Sequence, residues 1–196
     1  MAQRAATGYT PGMAINVLGI AGSLRAGSFN RALLRLAVEL APPGMTIAPF
    51  DLIDVPLYNG DVEDKGDPAA VTALKDAVRG ADGVLVATPE YNYGIPGVLK
   101  NAIDWASRPP GKSLLVGKPT AVIGASIGPG GTTRAQAALR QSLVATATPV
   151  LVGPELYVVR AHEKIDAGGA ITDETTRKVL GKVLAAFGPW IERFRA

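Results

Sequence analysis

Short apolar runs alternate along this chain with longer stretches in which hydrophobic side chains recur every three or four positions. The short runs read as strands, and the wider spacing reads as amphipathic helices. Ile15-Asn16-Val17-Leu18-Gly19-Ile20 is a first strand, and Leu33, Leu34, Ala37 and Val38 mark the helix after it. Met45-Thr46-Ile47-Ala48-Pro49-Phe50 is a second strand whose proline cannot donate to a ladder, which places it at a sheet edge. Leu52 to Asp67 reads as a long loop, after which Pro68 opens a helix bearing Val71, Leu74, Ala77 and Val78. Gly83-Val84-Leu85-Val86-Ala87-Thr88 is apolar on both faces, as a strand inside a parallel sheet must be. Val98, Leu99, Ala102, Ile103 and Trp105 give the next helix a broad apolar face. Thr120 to Gly124 is a fourth strand, followed by a helix with Ala135, Leu139, Leu143 and Val144 that Thr132 or Thr133 can cap. A fifth strand region starts at Pro149-Val150-Leu151-Val152 and continues through Leu156 to Val159. The last helix starts at Thr172 or Asp173, carries Val179, Leu180, Val183, Leu184 and Phe187, and is expected to bend or stop at Pro189.

Strands alternating with helices in this way form βαβ units and a parallel sheet. The expected architecture is α/β and doubly wound, a five-stranded parallel sheet covered by helices on both faces. It spans residues 13–196 as one domain, behind a small, polar stretch at 1–12 that reads as a disordered tail. Such sheets bind ligands beyond the carboxyl ends of their strands, where the winding reverses. Three Gly/Ser/Pro-rich loops follow strands one, three and four, at residues 22–30, 89–96 and 125–131. In a 2-1-3-4-5 strand order these three strands are neighbours, so the loops rim one crevice.

The first loop, Gly22-Ser23-Leu24-Arg25-Ala26-Gly27-Ser28-Phe29-Asn30, turns a strand sharply into a helix. Free N–H groups at a helix start attract anions, and the helix dipole adds about half a positive charge there. Ser23 and Ser28 add hydroxyls, Asn30 an amide and Arg25 a full positive charge suited to a phosphate. The loop has neither the GxGxxG nor the Walker pattern, which disfavours dinucleotides and nucleoside triphosphates as the resident ligand. The second loop offers the flat faces of Tyr91 and Tyr93 beside Glu90 and Asn92, suited to a heteroaromatic ring with a polar edge. The third, from Ser126 to Gly131, carries little bulk and lets backbone approach a planar ligand. A mononucleotide with a large ring fits this set, and FMN is one such ligand among others.

Composition removes competing chemistries. The chain has no cysteine and a single histidine, His162, so disulfides, thiolate nucleophiles and Cys/His zinc sites are excluded. His162 lies in a polar segment without a nucleophile elbow, and reads as a solvated loop histidine. A net charge of +3, with scattered basic residues, gives no stripe for nucleic acid. No apolar run approaches a membrane span, and no signal core precedes the first strand, which makes the cytoplasm the expected compartment. A signalling receiver would need carboxylates after the first strand, where Gly19-Ile20-Ala21-Gly22 offers none. With no acid, base or nucleophile evident, the hard chemistry falls to a cofactor.

The segments Gly22 to Arg31 and Thr88-Pro89-Glu90-Tyr91-Asn92-Tyr93-Gly94-Ile95-Pro96-Gly97-Val98-Leu99-Lys100-Asn101-Ala102-Ile103-Asp104-Trp105 closely resemble the NADPH-dependent FMN reductase family, in particular its bacterial chromate and quinone reductases. The resemblance extends through Gly117-Lys118-Pro119, the Ser126 loop and Arg140-Gln141 to the Phe187 helix. It implies a flavodoxin-like fold with non-covalent FMN. Ser23, Arg25, Ser28, Phe29 and Asn30 match the phosphate-binding segment. Pro89, Glu90, Tyr91, Asn92, Tyr93 and Gly94 match the loop along the ring and ribityl chain, while Ser126 and Gly128 match the loop at the ring's other edge. Gly94 stands where relatives often have serine. The implied activity takes a hydride from NADPH or NADH and passes electrons through FMN to a quinone, with chromate, azo and nitro compounds as further candidates. The alternative is a flavodoxin-like electron carrier that holds FMN without oxidising NAD(P)H. A homodimer or homotetramer is expected, with Trp105 exposed on the Gly97–Ser107 helix as a contact and Arg134 and Glu155 as intersubunit partners.

Overall fold

The computed structural model describes residues 14–166 and 168–195, so the expected tail at 1–12 lies outside the described residues. Its strands are β1 (Ile15–Ala21), β2 (Met45–Phe50), β3 (Gly83–Ala87), β4 (Thr120–Ala125) and β5 (Leu156–Val158). Its helices are α1 (Phe29–Glu39), α2 (Gly60–Glu63), α3 (Ala69–Gly80), α4 (Gly97–Ala106), α5 (Thr133–Val144) and α6 (Glu174–Glu192), with a single 3-10 turn at Ala161–Glu163. The five strands form one sheet in the order β2-β1-β3-β4-β5, every pair parallel. Its register sets Ile20 beside Val86, and Val86 beside Val122.

Two apolar layers hold the sheet. On one face Leu33, Leu36 and Ala37 of α1 pack with Leu180, Leu184, Phe187 and Ile191 of α6. On the other, Val71 and Leu74 of α3, Leu99 and Trp105 of α4, and Leu139 and Leu143 of α5 pack together. Burial on both faces explains why β1, β3 and β4 read as continuous apolar runs. β2 is an edge, and its Pro49 sits opposite Gly19.

Three local expectations are corrected. The 52–67 segment is not all loop: Asn59 accepts the Asp61 N–H and caps the one-turn helix α2. The residues at 149–152 are not a strand; only Val150 makes a bridge, to Thr120, and Pro154 separates it from the short β5. Pro189 does not end the last helix, which runs on to Glu192. The missing N–H costs one helical bond near the end, and the full burial of Phe187 and Ile191 on either side outweighs it.

Trp105 carries the largest correction. It is 0% exposed rather than displayed on α4. Its indole Nε1 donates to Pro56 O at 2.8 Å, and Tyr58 meets the ring edge-on at 5.0 Å between centroids. The 52–59 segment folds over the helix and covers the indole, a long-range contact with no local sequence signal. Asn101 holds the same segment, donating to Pro56 O and accepting from Tyr58 N at 2.8 Å each.

Candidate active site

β1, β3 and β4 end side by side, and the segments that leave them meet around a cleft of about 310 Å3. Ser23, Arg25, Ser28, Phe29 and Asn30 line it from the first loop, Pro89, Glu90 and Tyr91 from the second, and Ala125, Ser126 and Ile127 from the third. Asn92, Tyr93, Gly94 and Gly128, expected from the resemblance to touch the cofactor, lie outside that lining. Ala125 and Ile127 take part without having been expected. Ala125 is simply the last residue of β4, while Ile127 is an apolar side chain left 61% exposed beside the opening.

The first loop is built to receive an anion. Ser28 caps α1, its hydroxyl oxygen accepting from the N–H groups of Asn30 and Arg31 at 3.2 and 3.4 Å. That oxygen is spent as an acceptor, so its own proton is free to be donated into the cleft. The Phe29 N–H has no protein partner among the described residues, and the first turn of α1 holds no acidic side chain. Arg25 stands over the Phe29 ring at 5.4 Å. Arg31 sets the shape of the turn: its Nε donates to Ser23 O at 3.1 Å and its Nη2 donates to both Asp51 oxygens at 2.7 and 2.8 Å. Sequence reasoning passed over Arg31 because its partner, just beyond β2, is distant along the chain. Asn30 is more structural than expected. Its side chain donates to Ala125 O and accepts from Ala125 N, both at 2.9 Å, tying the first loop to the start of the third.

The second loop is a tight hairpin. Tyr91 and Gly94 exchange two backbone hydrogen bonds at 2.9 and 3.2 Å, with Asn92 at φ 49° and Tyr93 at φ 64°. Left-handed backbone at both central positions is the type I′ geometry, which asparagine tolerates and tyrosine resists. The turn aims Tyr91 back at the first loop, its hydroxyl 3.3 Å from Ser23 Oγ. Tyr93 points the other way, 70% exposed, under the Arg134 guanidinium at 4.1 Å. A Cβ at Gly94 would meet nothing closer than Tyr91 O at 3.7 Å, so a serine could occupy this position without moving the turn.

The third loop is fixed from behind. Ser126 N donates to Val158 O, Ala161 N donates to Ser126 O, and Ser126 Oγ accepts from Gly128 N at 3.1 Å. Thr132 stands at the start of α5 without capping it, because its hydroxyl accepts from Gln136 instead. Glu90 from the second loop takes over, its Oε2 accepting from Arg134 N and Ala135 N at 3.0 and 3.1 Å. Arg134, expected at an intersubunit contact, thus engages Glu90 of its own chain. Burial first, with the neighbouring Glu155 carboxylate adding to it, pushes the Tyr157 phenol on β5 up to about 12. It therefore stays neutral and offers no base behind the loop.

The chain matches the NADPH-dependent FMN reductase family over residues 15–163. The chain belongs to this family. It is 49% identical over 181 residues to an NAD(P)H-dependent FMN reductase of Pseudomonas aeruginosa, covering 92% of this chain and 97% of that protein. A quinone reductase of Escherichia coli is 42% identical over 184 residues, with 92% and 97% covered. Among solved structures, FerB of Paracoccus denitrificans, a flavoenzyme NAD(P)H:(acceptor) oxidoreductase, superposes with a TM-score of 0.84 at 41% identity, covering 92% of this chain and 98% of that one. The flavodoxin-like architecture expected from the sequence is the one observed.

The cleft's donor set fits the family's cofactor. The first loop brings Arg25, two serine hydroxyls and a helix start without an acid, while the second and third loops bring Pro89, Tyr91, Ala125 and Ile127 alongside Glu90 and Ser126. A phosphate suits the first group, and a planar ring suits the second. Among the described residues no group of His, Cys, Asp or Glu could hold a metal ion, and no helix is long and apolar enough to cross a membrane.

Proposed function

We infer that this chain is an FMN-dependent NAD(P)H oxidoreductase with quinone acceptors, and that the cleft between its three loops is where the cofactor sits. The observation that carries this is the convergence of an acid-free helix start and an aromatic wall on one cleft. Ser23, Arg25, Ser28, Phe29 and Asn30 would hold or shape the phosphate end. Pro89, Glu90 and Tyr91 would form one wall at the ring, presented by the turn that Asn92, Tyr93 and Gly94 make, and Ser126 would belong to the other, with Gly128 N donating to its hydroxyl oxygen. FMN, when bound, supplies the electron transfer between nicotinamide and acceptor. The protein binds, orients and shields; no side chain in the cleft has to exchange a proton with substrate. Chromate, azo and nitro compounds are further acceptors we propose for the same open site. A homo-oligomer is also part of this reading, supported by Leu57 and Tyr93, left 80% and 70% exposed.

The purified protein is expected to take up FMN, to lose its yellow colour on anaerobic mixing with NADPH or NADH, and to regain it when a quinone is added. A protein that binds FMN but stays yellow with both nicotinamides would be an electron carrier instead. One that refuses FMN in calorimetry would overturn the reading entirely. Arg25→Ala is expected to weaken FMN binding about tenfold, the scale of one charge-assisted contact on an exposed side chain. Turnover at saturating FMN should stay close to wild type, because Arg25 lines the phosphate end. An unchanged dissociation constant would remove Arg25 from the grip.

A further inference from the structure

Glu90 stands in the second loop, yet its carboxylate works at the third. Its side chain is 9% exposed. One oxygen accepts from two first-turn amides of α5, and the other faces the Arg134 guanidinium at 3.4 Å. The helix has no cap of its own, since the Thr132 hydroxyl is turned to Gln136, and no acidic residue in its first turn. α5 also follows directly from the 126–131 loop, so whatever fixes its start fixes the end of that loop.

We propose that Glu90 is a positioning residue that holds the two ring-side walls of the cleft at a set separation by capping a helix it does not belong to. This rests on the reading that the cleft holds FMN. A carboxylate at a helix N-terminus is stabilised both by the amides and by the dipole. Here that attraction acts between segments 44 residues apart in sequence. It locks Pro89 and Tyr91 to Ser126 and Ile127. It also satisfies the positive end of α5 from within, while the start of α1 carries no acid in its first turn.

Three measurements on the full chain test this. In Glu90→Ala the amide protons of Arg134 and Ala135 should exchange with solvent faster, a readout that needs no ligand. Fluorescence titration should show FMN and riboflavin both weakened by the same factor, about fivefold to tenfold, the scale of one lost helix cap. Equal loss for both is the signature of a ring-side effect, because riboflavin lacks the phosphate. The double variant Glu90→Ala with Thr133→Asp gives α5 an acid of its own at an exposed first-turn position. It should recover the thermal midpoint but not the flavin affinity, since the new charge caps the helix without tying the loops.

Affinity restored along with the midpoint would reduce Glu90 to a stabilising cap and overturn the proposal. So would wild-type affinity in Glu90→Ala, or a loss seen with FMN alone. A wild-type protein that binds neither flavin would overturn the functional reading itself, and that outcome is read without any variant.

Discussion

Gly124→Ala is expected to lower the thermal midpoint by roughly 6–12 °C, following from an overpacking cost near 3 kcal/mol. Gly124 lies in β4, one residue before the third loop. A methyl there would stand 2.2 Å from Thr132 Oγ1 and 2.4 Å from Thr88 O. Thr88 and Thr132 are both fully buried, so neither can swing aside into solvent. One obstacle is main chain at the end of β3, and the other is the residue from which α5 departs. The strain must be relieved by separating β3 from the start of α5, which moves both ring-side walls. Flavin affinity should therefore fall along with stability, and calorimetric scanning with and without FMN reads both. An alanine variant with wild-type midpoint and affinity would show that β3 and α5 have room to part.

Trp105→Ala is expected to cost about 3–5 kcal/mol, a fall of roughly 6–20 °C in midpoint for a chain of this size. The side chain is 0% exposed and packs with Leu74, Leu99 and Val78 in one core layer. Removing it leaves a void, and it frees Tyr58 and the segment around Pro56. Trp105→Phe keeps most of the volume and loses the indole donor, so it should fall much less. Pro56 O would still receive the Asn101 side chain. Sedimentation should give the same assembly for Trp105→Phe and wild type, because the indole faces its own core. A shift in assembly state without a shift in midpoint would restore Trp105 to the surface.

The contrast between these two positions shows what could be read in advance. The three strands that carry the site were legible because each is an apolar run broken by Gly, Ser or Pro, a signal contained within about ten residues. The burial of Trp105 was not, because an apolar helix face looks the same whether it meets solvent, a second chain or the 52–59 segment. The roles of Glu90 and Arg31 were hidden by distance. Glu90 reads locally as a polar loop residue and Arg31 as an exposed helical base, and each acquires its task from a partner that only the winding of the sheet brings near. Pro189 shows the opposite failure, a strong local rule overridden by the burial of Phe187 and Ile191.

Two helix starts beside the cleft differ in one respect with a wider consequence. α5 is neutralised by Glu90, while at α1 the Phe29 amide has no partner among the described residues and the first turn carries no acid. Of these two starts, the one left electrically open is that of α1, whose loop also carries Arg25. A guest with charge at its tail and an uncharged disc at its head is therefore drawn in tail first toward α1, so its heading is chosen before any snug contact forms.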